Sequence, residues 1–165
     1  MKEIILNGFV SVRGNIGPST LKKITQGGIN VSAYKLKCLN LLNELNTIVI
    51  TEDIYTFIIN NEKLYDQSTY GDIESFSATC ETPMCIGGWF VQFGGQVAYD
   101  FKEIFGYNRT AAILHLNKYP DCPVLDFNSS NQKAARNYVA MMAAFEKRTN
   151  KDESFDSWVA RNLNG

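Results

Sequence analysis

The chain has one histidine, four cysteines and four prolines in 165 residues, and its 16 Lys and Arg nearly cancel its 17 Asp and Glu to leave a net charge of −1. Each shortage excludes something. With no positive excess, the chain is not built as a duplex-DNA or polyanion binder that works by counterion release, although a local basic patch stays open to it. The lone histidine, His115, leaves any nucleophile a single imidazole to act as its base. Long apolar runs are missing: the most apolar window, Met84 to Phe93, is broken by two glycines and a glutamine, far short of the roughly 20 residues that span a bilayer. The opening Met1-Lys2-Glu3, Ile4-Ile5-Leu6 and Asn7-Gly8 has too short an apolar stretch for a secretion signal and no small-residue cleavage site. Cys38, Cys80, Cys85 and Cys122 are even in number, but a chain of this length builds a core without disulfide staples, so they read as reduced thiols in a cytoplasm.

What is present is ordinary globular material, 45% hydrophobic and 20% charged, which excludes wholesale disorder. The length fits one domain over 1–165, with a mixed β/α part over 1–60 and a mainly helical part over 61–165. Near-neutrality is a cancellation between segments. Residues 1–40 carry six bases and one acid, net +5; residues 41–100 carry one base and nine acids, net −8; residues 101–165 carry nine bases and seven acids, net +2. Such a division either neutralises itself or presents two faces to partners.

Local patterns place the elements. Asn7-Gly8 between β-prone Lys2–Leu6 and Phe9–Arg13 predicts a hairpin with a type I′ turn. Leu36, Leu39, Leu42 and Leu45 recur every three residues and predict a helix over Ala33–Leu45. Thr47–Ile50 and Ile54–Ile59 are β-branched and aromatic around Thr51-Glu52-Asp53, which favours a second hairpin, with a helix over Asp53–Asn60 as the alternative. Residues 61–81 read as a long polar loop. Thr82-Pro83 offers a cap and a first-turn proline for a helix through Phe93; Val97, Phe101, Ile104 and Phe105 continue at helical spacing to a stop at Gly106. Helices follow over Arg109–Asn117, after Asn128–Asn131 with Ala134, Tyr138, Met141, Met142 and Phe145 on one face, and after Ser154 with Phe155, Trp158, Val159 and Leu163. The expected fold is therefore α+β, an N-terminal β-hairpin element packed on a bundle of short helices.

Two segments carry candidate chemistry. If Thr82 is the cap, Cys85 stands at the third helical position, where unpaired N–H groups and the helix dipole favour a thiolate. His115 lies among Ile113, Leu114 and Leu116, without a protease-like surround, so the residues favour a small buried cysteine and a core histidine over a catalytic pair. Cys80 and Cys85, even with Cys38, Cys122 or His115, lack the spacing of common zinc knuckles, and no metal or other cofactor is expected. Gly87 and Gly88 inside a helix would each cost up to about 1 kcal/mol against alanine, so close packing there is expected. In the acidic loop, Tyr65, Tyr70, Asp72, Glu74 and Phe76 could anchor a protein partner.

Residues 64 to 147 resemble small uncharacterised phage and bacterial proteins marked by a Cys-x-Thr-x-x-Cys-x-Ala/Gly-Gly-Trp/His signature, here Cys80, Thr82, Cys85, Gly87, Gly88 and Trp89. Tyr65 to Tyr70 is a degraded form of their preceding Phe-Asp-Met-x-x-Trp-like element; Ile104-Phe105-Gly106 and Ala134-Ala135 match their later features, and Gly87 and Pro83 are departures. The resemblance implies a phage origin and lends no catalytic residue. The expectation is a non-enzymatic protein–protein interaction factor in the cytoplasm of an infected bacterium, an inhibitor of a host or defence protein. Two alternatives stand beside it: a small-molecule or nucleotide-binding protein or small enzyme with a pocket near Cys85–Gly88, and a nucleic-acid binder working through the basic residues 1–40. No membrane association is expected.

Overall fold

In a computed structural model the described residues are 31–67, 84–125 and 131–163. The chain divides into two compact units, Met1–Thr47 and Ile48–Gly165. Of the first, helix α1 is described, Val31–Thr47, closed by Thr47 Oγ1 donating to the Glu44 carbonyl at 2.7 Å. The expected leucine stripe is buried at its C-terminal end, at Leu42 and Leu45, whereas Leu36 is 58% exposed. The Lys2–Arg13 hairpin lies outside the described residues.

The second unit runs through α2 (Ile54–Asn60), a 3₁₀ turn (Glu62–Leu64), α3 (Ile86–Phe105), α4 (Tyr107–Lys118), α5 (Gln132–Glu146) and α6 (Phe155–Leu163). Among the described residues there is no β-strand, only an isolated parallel bridge between Tyr65 and Met84, so an all-α fold replaces the α+β expectation. The correction falls on Ile54–Ile59, which forms α2 rather than half of a hairpin. Ile54, Tyr55 and Ile58 are the buried positions, a helical set; a strand would have buried alternate residues. A seven-residue helix is too short to hold itself. Its local cap fails too, because Asp53 stands at the N-cap with no side-chain capping hydrogen bond. The bonds come instead from Glu146, which accepts from the N–H groups of Tyr55 (3.2 Å) and Thr56 (2.7 Å). Nothing local to α2 announces that partner.

Helix α3 begins at Ile86 and bends at Gly95, whose φ of 78° and ψ of −162° are open to glycine and strained for other residues. One residue earlier, a Cβ on Gly94 would sit 2.6 Å from Ala98 Cβ and 2.8 Å from Leu114 Cδ1, so the missing side chain is what lets α3 and α4 approach. The expected stop at Gly106 is there, at φ 86°, and the same glycine precedes α4, with its carbonyl accepting from the N–H and hydroxyl of Thr110.

Asn131 caps α5 by accepting from Ala134 N at 3.1 Å. The buried face of α5 is Ala135, Val139, Met142, Ala143, Phe145 and Glu146; of the expected face Met142 and Phe145 are buried, Tyr138 and Met141 half-buried and Ala134 exposed, so the face is turned towards Ala135 and Val139 at its N-terminal end. Ser154 caps α6 as its position predicts, accepting from Ser157 N at 3.3 Å, and Phe155 and Trp158 pack edge-on against Phe145. No helix among the described residues is long and apolar enough to cross a membrane.

Candidate functional site

The signature segment turns out to be a joint. Cys85, not Thr82, is the N-cap of α3: its Sγ accepts from Gly88 N at 3.4 Å, and Gln67 Oε1 accepts from Ile86 N at 3.4 Å. Gly87 and Gly88 therefore occupy the first turn, both buried, rather than a helix interior. Trp89 donates its indole N–H to the Leu64 carbonyl at 2.8 Å, with its ring against Phe57 and Phe93. These bonds tie the start of α3 to Leu64–Gln67. Burial pushes the Cys85 thiol up, against the N–H groups of the first turn that pull it down. The small buried cysteine that the sequence favoured is what the structure has: the sulfur sits at the cap, not at the third helical position, and is buried.

Tyr65 is half-buried, its hydroxyl donating to Gln67 Oε1 at 3.2 Å, and burial pushes that phenol up to about 12. Tyr70, Asp72, Glu74, Phe76, Cys80 and Thr82 lie outside the described residues. No group of three or more His, Cys, Asp or Glu that could hold a metal ion occurs among the described residues.

A second polar centre joins α2, α4 and α5. Tyr55 Oη lies 2.7 Å from His115 Nδ1, Tyr138 Oη lies 3.5 Å from Nε2, and the Tyr138 hydroxyl donates to the Pro123 carbonyl. His115 is fully buried. Burial pushes its imidazole down to about 4, against backbone hydrogen bonds at Cys122 and Pro123 that pull it up, so it is neutral near pH 7. Alongside, Tyr119 donates its hydroxyl to Glu146 Oε1. The carboxylate thus serves two backbone N–H groups and one phenol, and Glu146 is only 2% exposed. This residue was missed from sequence, yet a signal exists: Ala135, Val139, Met142 and Glu146 fall at spacings of four, three and four, which puts a carboxylate on a buried stripe.

Beside Glu146 opens a cleft of about 520 Å³, within the roughly 300–1,000 Å³ of ligand sites. The loop before α2, the end of α4, the end of α5 and the Arg148–Ser154 turn form it, with Val49, Tyr119, Phe145 and Phe155 as apolar and aromatic wall. Lys118 enters it half-buried, donating to the Ile50 carbonyl at 2.9 Å and lying 3.8 Å from Asp53 Oδ1. Burial lowers its ammonium, opposed by Asp53 and Glu146. Cys122 is also in the wall, its thiol pushed up to about 12 by burial. None of these lining residues was singled out in sequence for this role; they come from three separated stretches, 49–53, 118–122 and 145–155. Comparison with known proteins gives no match to a family model, to a curated protein or to a solved structure.

Proposed function

We propose that this chain is a non-enzymatic protein–protein interaction factor, which the resemblance to small phage proteins directs towards a host or defence protein. One observation supports it: among the described residues, the buried cysteine, histidine and glutamate that catalysis could recruit, Cys85, His115 and Glu146, are engaged in holding the fold. Cys85 caps α3 with a raised thiol, His115 is neutral between two tyrosines, and Glu146 is taken up by two backbone N–H groups and Tyr119. A general base or nucleophile must instead face its substrate with a pKa near the working pH. The alternative pocket at Cys85–Gly88 loses support because those residues are buried in the α3 joint.

Two measurements test the reading. Titration of the native full chain with a thiol reagent is expected to leave Cys85 slow until denaturant is added, and a fast native Cys85 overturns the non-enzymatic half. Purification of the tagged chain from bacterial lysate is expected to recover one partner protein in stoichiometric amount; recovery of the chain alone overturns the other half.

A further inference from the structure

The cations of the second unit fall into two groups. Lys102 pairs with Glu103 against the rings of Tyr99 and Tyr107, Arg161 pairs with Glu153, and Lys118, Arg148 and Lys151 donate to main-chain carbonyls. These hold the fold. Lys133, Arg136 and Lys147 differ: all three are exposed, and no hydrogen bond or ion pair with another described residue ends on any of them. An exposed cation needs no partner, so one alone says little. Their placement says more.

All three stand on α5 or at its end. At 3.6 residues per turn and a 1.5 Å rise, they fall within an arc of about 60° and run over about 21 Å of the axis. Ala140 and Ala144, both exposed, occupy the same strip between them, so no bulky side chain keeps a second backbone away. The helix has no acid in its first turn, and its one carboxylate, Glu146, is on the buried face and taken up by Tyr55, Thr56 and Tyr119. A face laced by its own ion pairs alternates in sign; this one carries a single sign. That is a local property, since the described residues of the unit hold ten bases and eleven acids. At its start the strip approaches the α3 joint. Burial raises the Tyr65 phenol and Arg136 lowers it, with Asp66 acting in the opposite sense to Arg136, and Tyr65 is one of the residues that the sequence offers as an anchor for a partner.

We propose that this outward face of α5 is the docking surface for an acidic segment of another protein, whose carboxylates meet Lys133, Arg136 and Lys147 while its backbone lies along Ala140 and Ala144. The inference rests on the interaction-factor reading and adds which surface is used and what charge the partner carries. A protein segment is favoured over nucleic acid because a chain of net charge −1 supplies no long-range attraction for a phosphate polymer. A short acidic segment needs only local complementarity. Exposed ion pairs are individually weak, so removing all three cations is expected to weaken binding by about tenfold at low salt, not to abolish it.

The test follows the fluorescence anisotropy of a fluorescein-labelled octaglutamate peptide added to the full chain at low salt. Binding is expected for the native chain, weaker by about tenfold in the triple variant Lys133→Gln, Arg136→Gln and Lys147→Gln. It should stay within about twofold in a control that removes the same charge elsewhere, Lys37→Gln, Lys63→Gln and Arg161→Gln. Glutamine keeps the helix propensity of the residues it replaces, so the circular-dichroism spectrum is expected to be unchanged in both. Equal losses in the two triple variants reduce the effect to net charge and overturn the proposal, as does a native chain that leaves octaglutamate unbound. Tighter binding of an oligothymidylate of the same length gives the face to nucleic acid, and self-association that the Lys133, Arg136 and Lys147 changes abolish gives it to a second copy; either result overturns the proposal. A final arm separates it from the reading beneath it. If the triple variant still retains its stoichiometric partner from lysate, the docking surface falls and the interaction factor stands; if no form of the chain retains a partner, the interaction factor itself falls.

Discussion

His115 is the residue whose chemistry is most altered by its surroundings. The ordinary pKa of histidine is 6.5, and burial in the Tyr55–Tyr119–Tyr138 cage pushes it down to about 4. Between those values the unfolded chain takes up a proton that the folded chain refuses, so the stability His115 contributes is complete above pH 6.5 and is lost as the pH falls to about 4. A full shift of that size corresponds to about 3 kcal/mol. Urea titrations at pH 7 and pH 4 are expected to show this loss in the native chain and a shallower one in His115→Gln, whose amide does not titrate. Parallel slopes for the two would remove His115 from the acid response. The residue's burial was readable from its apolar neighbours Ile113, Leu114 and Leu116. Its partners were not, since Tyr55 and Tyr138 lie 60 and 23 positions away and no local pattern links them.

At the scale of elements, the glycines of α3 have separate tasks. Gly94 makes room for Leu114 and Ala98, whereas Gly95 supplies a backbone angle and has open space where a Cβ would stand. Gly94→Ala is expected to destabilise the chain by about 2 kcal/mol through overpacking, and trimming the neighbour in Gly94→Ala with Leu114→Ala should recover part of the loss. In Gly95→Ala the cost, about 1–2 kcal/mol, comes from the positive φ, and the same Leu114→Ala change should recover none of it. Thermal unfolding of the five chains separates the two mechanisms. Elements with strong local signals were legible in advance: α5 with its Asn131 cap, α6 with Ser154, and the stop at Gly106. Those held together from a distance were not. Ile54–Ile59 has β-branched residues and no working local cap, so it reads as a strand until Glu146 is brought to it. The Cys80–Trp89 segment was legible as special, but for packing reasons: the cap moved from Thr82 to Cys85, and with it the glycines moved into the first turn.

For the molecule as a whole, Glu146 is the tie that closes the second unit, reaching 90 and 91 positions back along the chain. Removing it leaves the buried N–H of Tyr55, the part-buried N–H of Thr56 and the Tyr119 hydroxyl without their acceptor. Glu146→Ala is accordingly expected to lower the unfolding free energy by about 3 kcal/mol, with Glu146→Gln losing less, as read from the midpoint of urea unfolding. A loss below about 0.5 kcal/mol, the range of ordinary surface changes, would show that α2 is held by its apolar face alone. The same tie has a consequence for biosynthesis. A chain made from its N-terminus emerges with Ile54–Asn60 long before Glu146 exists, so this helix waits, uncapped, while α3, α4 and α5 are made. Its amide protons at Tyr55 and Thr56 are then expected to gain protection only once α5 has been made and, in the finished protein, to exchange when α5 comes away.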